Sequence, residues 1–189
     1  MSALPGVAVV GDRLLDEAQL ARTLRRLAHE LCERHPGHDD LVLAGVLTRG
    51  LPLARRLVTL VQELSGSAPL VAALELDNYR DDRPQPERRP GALRSADAGP
   101  VPSIEGRPVV VVDDVLFTGR TVRAALDALS QAGRAATVEV MVLIDRGHRE
   151  LPLRATYVGK NVPTATRQRV TVRVLECDGF DGAWLVDPG

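Results

Sequence analysis

The sequence predicts an α/β fold, in which a parallel sheet carries helices on both faces. Short apolar runs of strand length alternate along the chain with segments of helical periodicity, which is the order expected of such a sheet. The chain has 189 residues, of which 44% are hydrophobic and 26% are charged, as is typical of one globular domain. We therefore expect residues 1–189 to form a single domain.

Composition excludes several classes of protein. The formal net charge is −1, so the overall charge does not indicate nucleic-acid binding, although a local basic patch is compatible with it. The two cysteines, Cys32 and Cys177, lack the spacing of a zinc site and do not make a disulfide framework. No apolar run approaches the roughly 18 residues of a membrane helix. We expect a cytoplasmic protein without a membrane partner.

The first helix is predicted from an N-cap at Asp16 to about Arg34, before a Pro-Gly pair that ends it. Spacings of four, three and four residues indicate a buried stripe of Leu20, Leu24, Leu27 and Leu31. The opposite face carries Arg22, Arg25, Arg26 and His29. Three of these basic residues recur at spacings of four and three, and such a face can follow phosphates. An ordinary solvated helix face has the same pattern.

The following segments continue the alternation. Residues 41–46 (LVLAGV) predict a strand buried on both sides. A turn at 47–50 leads into a helix from Pro52 to about Leu64, since proline suits a first helical turn. Residues 69–76 predict a second strand.

The segment from Asn78 to Ile104 has neither the period of a helix nor that of a strand. It is rich in proline and arginine. Irregular segments of this length inside a compact domain are commonly lids over a binding site. We expect a mobile lid over about 78–104, and a plain surface insertion is the alternative.

The second half of the chain resumes the alternation. The predicted elements are, in order, a buried strand at 109–112, a loop at 113–119, a helix at 121–131, a strand at 137–144 and a charged loop at 145–154. Two final strands at 169–176 and 183–186 enclose an Asp-Gly pair and predict a C-terminal β-hairpin.

The segment 109–121 (VVVVDDVLFTGRT) carries the chemistry. Asp113 and Asp114 follow a buried strand, at the sheet edge where α/β folds bind ligands. A loop then opens a helix, where Gly119 allows close backbone approach and the helix start, with Thr118 and Thr121, suits a phosphate. The partners of the two acids would be ribose hydroxyls or Mg²⁺. A helix cap with a turn is the alternative, but it explains only one aspartate.

These thirteen residues resemble the signature of type I phosphoribosyltransferases, which bind 5-phosphoribosyl-1-diphosphate (PRPP). The resemblance implies that Asp113 and Asp114 contact the ribose. It also implies that the 5-phosphate is wrapped by Val115, Leu116, Phe117, Thr118, Gly119, Arg120 and Thr121. A pyrophosphate loop, often with a non-proline cis peptide, is implied at 47–50, where Thr48 and Arg49 would bind; a plain strand-to-helix turn is the alternative.

Further segments resemble PyrR-type pyrimidine operon regulators, which are RNA-binding attenuators and uracil phosphoribosyltransferases. The segments are 24–30 (LRRLAHE), 78–82 (NYRDD), 145–152 (DRGHRELP) and 157–164 (YVGKNVPT). The resemblance implies that uracil and PRPP give UMP and pyrophosphate, with Mg²⁺ held through PRPP and not by protein ligands. It implies two further partners, the mRNA leader of a pyrimidine operon and other copies of this chain in a dimer or larger assembly.

The same resemblance assigns roles to individual residues. The catalytic set would be Asp113, Asp114 and Arg49, and the lid arginines Arg80 and Arg94 would help to bind PRPP. The base pocket would contain Asp145, Arg146 and Val170. The RNA-binding residues would be Arg25, Arg26, His29, Arg149, Arg154 and Lys160. Two alternatives stay open, a salvage enzyme without RNA control and a regulator that senses nucleotides without turnover.

Overall fold

The computed structural model describes residues 11–76 and 91–187. The helices in these residues are α1 (Glu17–Arg34), α2 (Gly50–Ser65), α3 (Arg120–Ala132) and the short α4 (Leu175–Asp178). The strands are β1 (Asp12–Leu15), β2 (Val42–Val46), β3 (Leu70–Glu75), β4 (Ala92–Ser95), β5 (Pro108–Leu116), β6 (Thr137–Asp145), β7 (Tyr157–Asn161), β8 (Arg169–Arg173) and β9 (Gly182–Val186). None of the helices in the described ranges is long and apolar enough to cross a membrane.

Two sheets organise the chain. The larger has the order β4-β3-β2-β5-β6-β7, and its neighbouring strands are parallel except for β4, which is antiparallel to β3. The smaller is antiparallel with the order β1-β9-β8, so the first described strand pairs with the C-terminal hairpin. The predicted α/β class, with a largely parallel sheet and a C-terminal hairpin, is confirmed.

Helices cover both faces of the larger sheet. On β2, Leu43 packs in the cluster that contains α1 and α2, whereas Val42 and Ala44 pack with α3 on the opposite face. Successive side chains of a strand point to opposite faces, so both faces of β2 are covered and all five of its residues are buried. This double burial explains why the segment reads as a continuous apolar run.

The predicted first helix is confirmed together with its cap and its buried stripe. The carboxylate of Asp16 accepts the Gln19 N–H at 2.7 Å, and the Gln19 side chain accepts the Asp16 N–H at 2.9 Å, which completes a capping box. The four leucines of the stripe are at most 3% exposed, and burying each leucine side chain contributes about 2 kcal/mol. The basic residues of α1 lie outside this buried stripe and are exposed.

Strand β5 continues to Leu116, four residues beyond the predicted end of the strand. Asp113 pairs with Val142 and Val115 pairs with Ile144 on β6. Backbone hydrogen bonds to the neighbouring strand thus hold the acidic segment extended, and the predicted loop shortens to 117–119. The pattern of the sequence could not indicate this extension, because the stabilising partner is more than 25 residues away.

Part of the predicted lid forms a strand. Residues 77–90 lie outside the described ranges, whereas β4 pairs with β3 through residues 92–95. Leu93 on β4 and Ile104 beyond it are both buried in the cluster that contains α3. The segment from 78 to 104 is therefore not a loop throughout, because its second half is anchored to the sheet.

Three other segments differ from the prediction. Strands β1 and β7 were not predicted, because both are short, partly exposed edge strands whose pairing partners are distant in sequence. The predicted strand over 169–176 ends at Arg173, and α4 follows it. The predicted pairing of the hairpin is confirmed, since β8 and β9 are antiparallel.

Candidate active site

The carboxyl ends of β2 and β5 bring two loops of the predicted site together. Gly50, the first residue of α2, lies so close to β5 that a Cβ atom on it would be 2.3 Å from the Val112 carbonyl oxygen. Only glycine permits this approach. The loop before α2 contains a cis peptide bond between Leu47 and Thr48, at the position where the resemblance implied one. The start of α2 therefore lies against the acidic end of β5.

The two adjacent acids differ in their surroundings. Asp113 is 8% exposed, and one of its carboxylate oxygens accepts the Asp114 N–H at 2.9 Å. Asp114 is partly exposed. Removal from water raises the pKa of Asp114, and the nearby Arg49 guanidinium opposes that rise. Both side chains thus lie at the sheet edge, beside the start of α2.

The loop between β5 and α3 has the shape expected of an anion cradle. Gly119 is the N-cap of α3 and has φ 93°, a left-handed conformation that favours glycine. It has no side chain to occupy the first N–H groups of the 13-residue helix α3. Thr118 is buried, and its hydroxyl accepts the Arg120 N–H at 3.3 Å. Thr121 follows in the first turn and is partly exposed, so its hydroxyl is within reach of a ligand at the helix start.

The side chain of Arg49 is held by an ion pair. Its guanidinium donates two hydrogen bonds of 2.9 Å to the two carboxylate oxygens of Asp178, at the end of α4. Asp178 also accepts from Arg173 at 2.7 Å and from the Val174 N–H at 3.0 Å. The sequence indicated Asp178 only as part of a turn, and nothing in its spacing indicated this contact. The C-terminal segment is thus tied to the predicted pyrophosphate loop.

Two of the three predicted base-pocket residues lie at the end of β6. Asp145 is the last residue of that strand, and the following Arg146 is only 5% exposed. The Arg146 guanidinium lies 3.9 Å from the centre of the Phe117 ring, a cation–π contact with the β5–α3 loop (117–119), which we call the phosphate loop. Burial and the nearby Arg169 charge lower the pKa of Arg146. Val170, on β8, is partly buried against the core.

Arg146 is held by neutral groups. It donates to the hydroxyl of Thr164 at 3.2 Å and to the carbonyls of Ala165 and Thr166 at 3.3 Å. None of the acidic residues in the described ranges forms an ion pair with it. A buried guanidinium without a carboxylate partner can donate a further hydrogen bond to an electronegative atom of a ligand.

Arg149 lies inside the loop 145–154 and not on an exposed face. Its guanidinium donates to the carbonyls of Phe117 (2.7 Å) and Gly147 (3.0 Å) and forms an ion pair with Asp145. The neighbouring Glu150 N–H donates to the Thr118 carbonyl at 3.0 Å. These contacts fasten the loop 145–154 to the phosphate loop.

Two of the predicted RNA-binding residues meet on a face formed by α1 and β7. Arg26 donates to the carbonyls of Val158 (3.0 Å) and Gly159 (2.7 Å). Lys160, on the same strand, donates to the Leu14 carbonyl at 2.8 Å. We call the exposed surface that carries Arg22, Arg26, His29 and Lys160 the α1/β7 face; all four residues are exposed.

The other predicted residues lie elsewhere. Arg25 is exposed but turns toward α2, where it lies 3.6 Å from Glu63. Arg154 is exposed in the segment before β7. Arg94 lies on β4, and its guanidinium pairs with Glu75 at 3.0 Å. Arg80 lies outside the described residues.

The arrangement at this sheet edge fits a phosphoribosyltransferase. It combines two acids on β5, the start of α3 after Gly119, and Arg49 at the start of α2. Residues 10–174 match the family described as "Phosphoribosyl transferase domain", so the family agrees with the geometry. The chain is a phosphoribosyltransferase of the type I fold.

Within this class the chain belongs to the PyrR family. It is 49% identical over 176 residues to the bifunctional protein PyrR of Pelotomaculum thermopropionicum, an alignment that covers 93% of this chain and 95% of that protein. It is 51% identical over 173 residues to the bifunctional protein PyrR of Streptomyces coelicolor, covering 91% of this chain and 88% of that protein.

Solved structures share the fold at lower sequence identity. A hypoxanthine phosphoribosyltransferase of Staphylococcus aureus has a TM-score of 0.68 and 19% identity, over 94% of this chain and 93% of that chain. The hypoxanthine phosphoribosyltransferase of Trypanosoma cruzi has a TM-score of 0.68 and 20% identity, over 94% of this chain and 97% of that chain. Similarity at this level of identity shows the common architecture alone.

Proposed function

We propose that this protein forms UMP and pyrophosphate from uracil and PRPP, and that it also binds the mRNA leader of a pyrimidine operon in response to uridine nucleotides. The single observation that carries the enzymatic half is the convergence of three features at one sheet edge. These are the acid pair on β5, the cradle at the start of α3 and Arg49 at the start of α2.

The reaction breaks the bond between ribose C1 and the diphosphate and forms a bond from C1 to a ring nitrogen of uracil, and the proton of that nitrogen is released to solvent. Positive charge develops on the ribose and negative charge on the leaving diphosphate, so catalysis consists mainly of positioning and electrostatic stabilisation. Asp113 and Asp114 would hold the ribose hydroxyls and place negative charge near the ring. Arg49 and the start of α2 would stabilise the leaving group.

Mg²⁺ fits this site as a companion of PRPP. Within the described residues, no group of three or more His, Cys, Asp or Glu side chains converges in a way that could hold a metal ion. A magnesium ion would therefore take most of its ligands from phosphate oxygens and water, as it commonly does. Bound there, the ion would offset part of the diphosphate charge.

We assign the binding of the base to the surroundings of Arg146, which lies against Phe117. The Arg146 guanidinium is a donor without any acceptor atom. It would therefore favour uracil, with two carbonyl oxygens, over a base that presents an amino group at the same place. Asp145 and Val170 are the other residues that we assign to base binding.

The α1/β7 face supports the RNA-binding half of the proposal. Its basic side chains are exposed on adjacent elements, and such a group can contact phosphates even though the whole chain has a net charge of −1. We assign Arg26, His29 and Lys160 to this contact, with Arg25 and Arg154 at its margins. We further propose a cytoplasmic homo-oligomer.

A comparison of bases tests the enzymatic half. Purified protein is given PRPP, Mg²⁺ and either uracil or hypoxanthine, and nucleotide formation is followed. We expect UMP to form and inosine monophosphate to form at least about 100-fold more slowly, because a pyrimidine pocket that excludes the larger purine should discriminate by 2–3 kcal/mol or more. A preference for hypoxanthine would contradict the pyrimidine assignment.

A salvage enzyme without RNA control is the second candidate function. The two are separated by measuring binding of the protein to the leader transcript of its own pyrimidine operon, with and without UMP. Binding that UMP strengthens supports the bifunctional protein. Leader affinity equal to that of an unrelated stem-loop, at the same salt concentration, would favour the salvage enzyme.

A further inference from the structure

Arg173 on β8 lies near the predicted pyrophosphate loop (47–50), and its environment is unusual for an arginine. Its Nη1 donates at 2.7 Å to the same Asp178 oxygen that accepts from Arg49 at 2.9 Å. Two guanidinium groups therefore share one carboxylate. The Arg173 Nε–H is buried and has no hydrogen-bond partner. An unmatched buried donor is unfavourable, so the contacts of Arg173 in this state do not satisfy its side chain.

We propose that Arg173 is a second diphosphate-binding residue, which Asp178 holds beside Arg49 until PRPP or pyrophosphate enters. This inference rests on the proposed function and names a contact of that same site. The Asp178 side chain is only 7% exposed, whereas those of Arg49 and Arg173 are 22% and 30% exposed. The two guanidinium groups are therefore more accessible to a ligand from solvent than the carboxylate that joins them.

The position of the pair relative to α2 supports a diphosphate as the ligand. Arg49 is the N-cap of the 16-residue helix α2, which has no side-chain cap at this end. The start of α2 thus adds partial positive charge and N–H donors next to Arg49. One carboxylate cannot fully balance two guanidinium groups, and a diphosphate offers enough oxygens to engage both in paired hydrogen bonds.

The other acidic residues nearby in the described ranges do not form ion pairs with Arg49 or Arg173. Glu176 and Asp181 are both bonded to Arg56, at 2.6–2.8 Å, and so are already paired. The charge of Asp114 also acts on Arg49, and in the proposed complex Asp114 faces the ribose. Asp178 is therefore the only acid in the described residues that forms an ion pair with Arg173.

A comparison of PRPP with UMP tests the inference, because both ligands carry the ribose 5-phosphate but only PRPP carries the diphosphate. The dissociation constants of both are measured by calorimetry with Mg²⁺ for the wild type and for Arg173→Gln. We expect the dissociation constant of PRPP to rise about tenfold or more and that of UMP to change less than about twofold. Inorganic pyrophosphate should compete with PRPP correspondingly less well in the variant.

Arg167→Gln is the matched control, since Arg167 is an exposed arginine in the turn before β8; it should leave both constants unchanged. Should Arg173→Gln fail to fold, Arg173→Lys takes its place, because lysine keeps the charge but offers only a single ammonium group. We then expect a several-fold loss for PRPP alone. Equal effects on PRPP and UMP, or no effect on either, would overturn the inference. A wild type that binds neither ligand would instead contradict the proposed function.

Discussion

At the scale of single residues, Asp178 organises the charged groups beside the start of α2. Burial by itself would raise its pKa, but hydrogen bonds from Arg49, the Val174 N–H and Arg173 outweigh that effect and hold the pKa well below its usual range. A carboxyl whose pKa is lower in the folded than in the unfolded state stabilises the fold above the unfolded pKa. That stabilisation is lost as the pH falls through the folded value.

We therefore expect Asp178→Asn to lower the free energy of unfolding at pH 7 by about 3 kcal/mol, since it leaves two arginines without their shared partner. The difference from the wild type should begin to narrow below about pH 4, where the unfolded chain takes up a proton at Asp178. Urea unfolding at several pH values measures both effects. A difference that stays constant down to pH 3 would show that the charge of Asp178 is not responsible.

At the scale of elements, two loops behave as one unit. Arg149 and the Glu150 N–H fasten the loop 145–154 to the carbonyls of the phosphate loop. A second contact joins Arg120 to Glu150 by an ion pair of 2.7 Å. Because these bonds link the segment that precedes β7 to the proposed nucleotide site, the geometry of one loop depends on the other.

Replacement of Arg149 should therefore affect nucleotide binding. We expect Arg149→Gln to raise the dissociation constant of UMP about tenfold, because it removes bonds to the Phe117 carbonyl and to Asp145 that shape the cradle. Equilibrium dialysis with UMP measures the change. The slope of RNA affinity against salt should stay the same; a shallower slope with unchanged UMP affinity would place Arg149 on the RNA contact instead.

The α1/β7 face gives a second prediction for elements. The double variant Arg26→Ala with His29→Ala should weaken binding of the operon leader and reduce the slope of log affinity against log salt by about 1, because phosphate contacts release counterions. Turnover of uracil should be unchanged. Arg123→Gln on α3, on the opposite face of the sheet, is the matched control. Unaltered RNA affinity in the double variant would favour the enzyme-only function.

At the scale of the whole molecule, the site draws on segments from distant parts of the chain. The loop before α2, the end of β5, the loop after β6 and the C-terminal α4 all contribute. The small sheet also joins distant parts of the chain, because β1 pairs with β9. A ligand held by all these segments binds only the folded chain, so its binding stabilises the whole fold.

We expect UMP at 100 times its dissociation constant to raise the free energy of unfolding by about 2.7 kcal/mol. The double variant Asp113→Asn with Asp114→Asn should fold but lose most of this increase, because the uncharged amide oxygens accept from the ribose hydroxyls more weakly than carboxylates do. Its uracil turnover should be abolished. Thermal unfolding with and without UMP measures the stabilisation. An increase of wild-type size in the variant would contradict the assigned ribose contact.

The local patterns of the chain sufficed for the elements in which burial is periodic. The capped helix with its leucine stripe, the strand over 42–46 and the acid pair before a helix start were all predictable, because spacing and cap chemistry act between near neighbours in sequence. The family was also evident from the motifs. These features depend on the order of residues within one segment of the chain.

The tertiary structure alone decided which distant residues meet. It extended β5 through Asp113 and Asp114, formed the four-residue strand β4 within the expected lid, and paired Asp178 with Arg49. It also joined Arg149 to the Phe117 carbonyl, a contact that no pattern in the sequence indicates. The physical reason is that edge pairing and ion pairs across the chain depend on which elements pack together. No periodicity within one segment records which partner a strand edge or a charged side chain will meet.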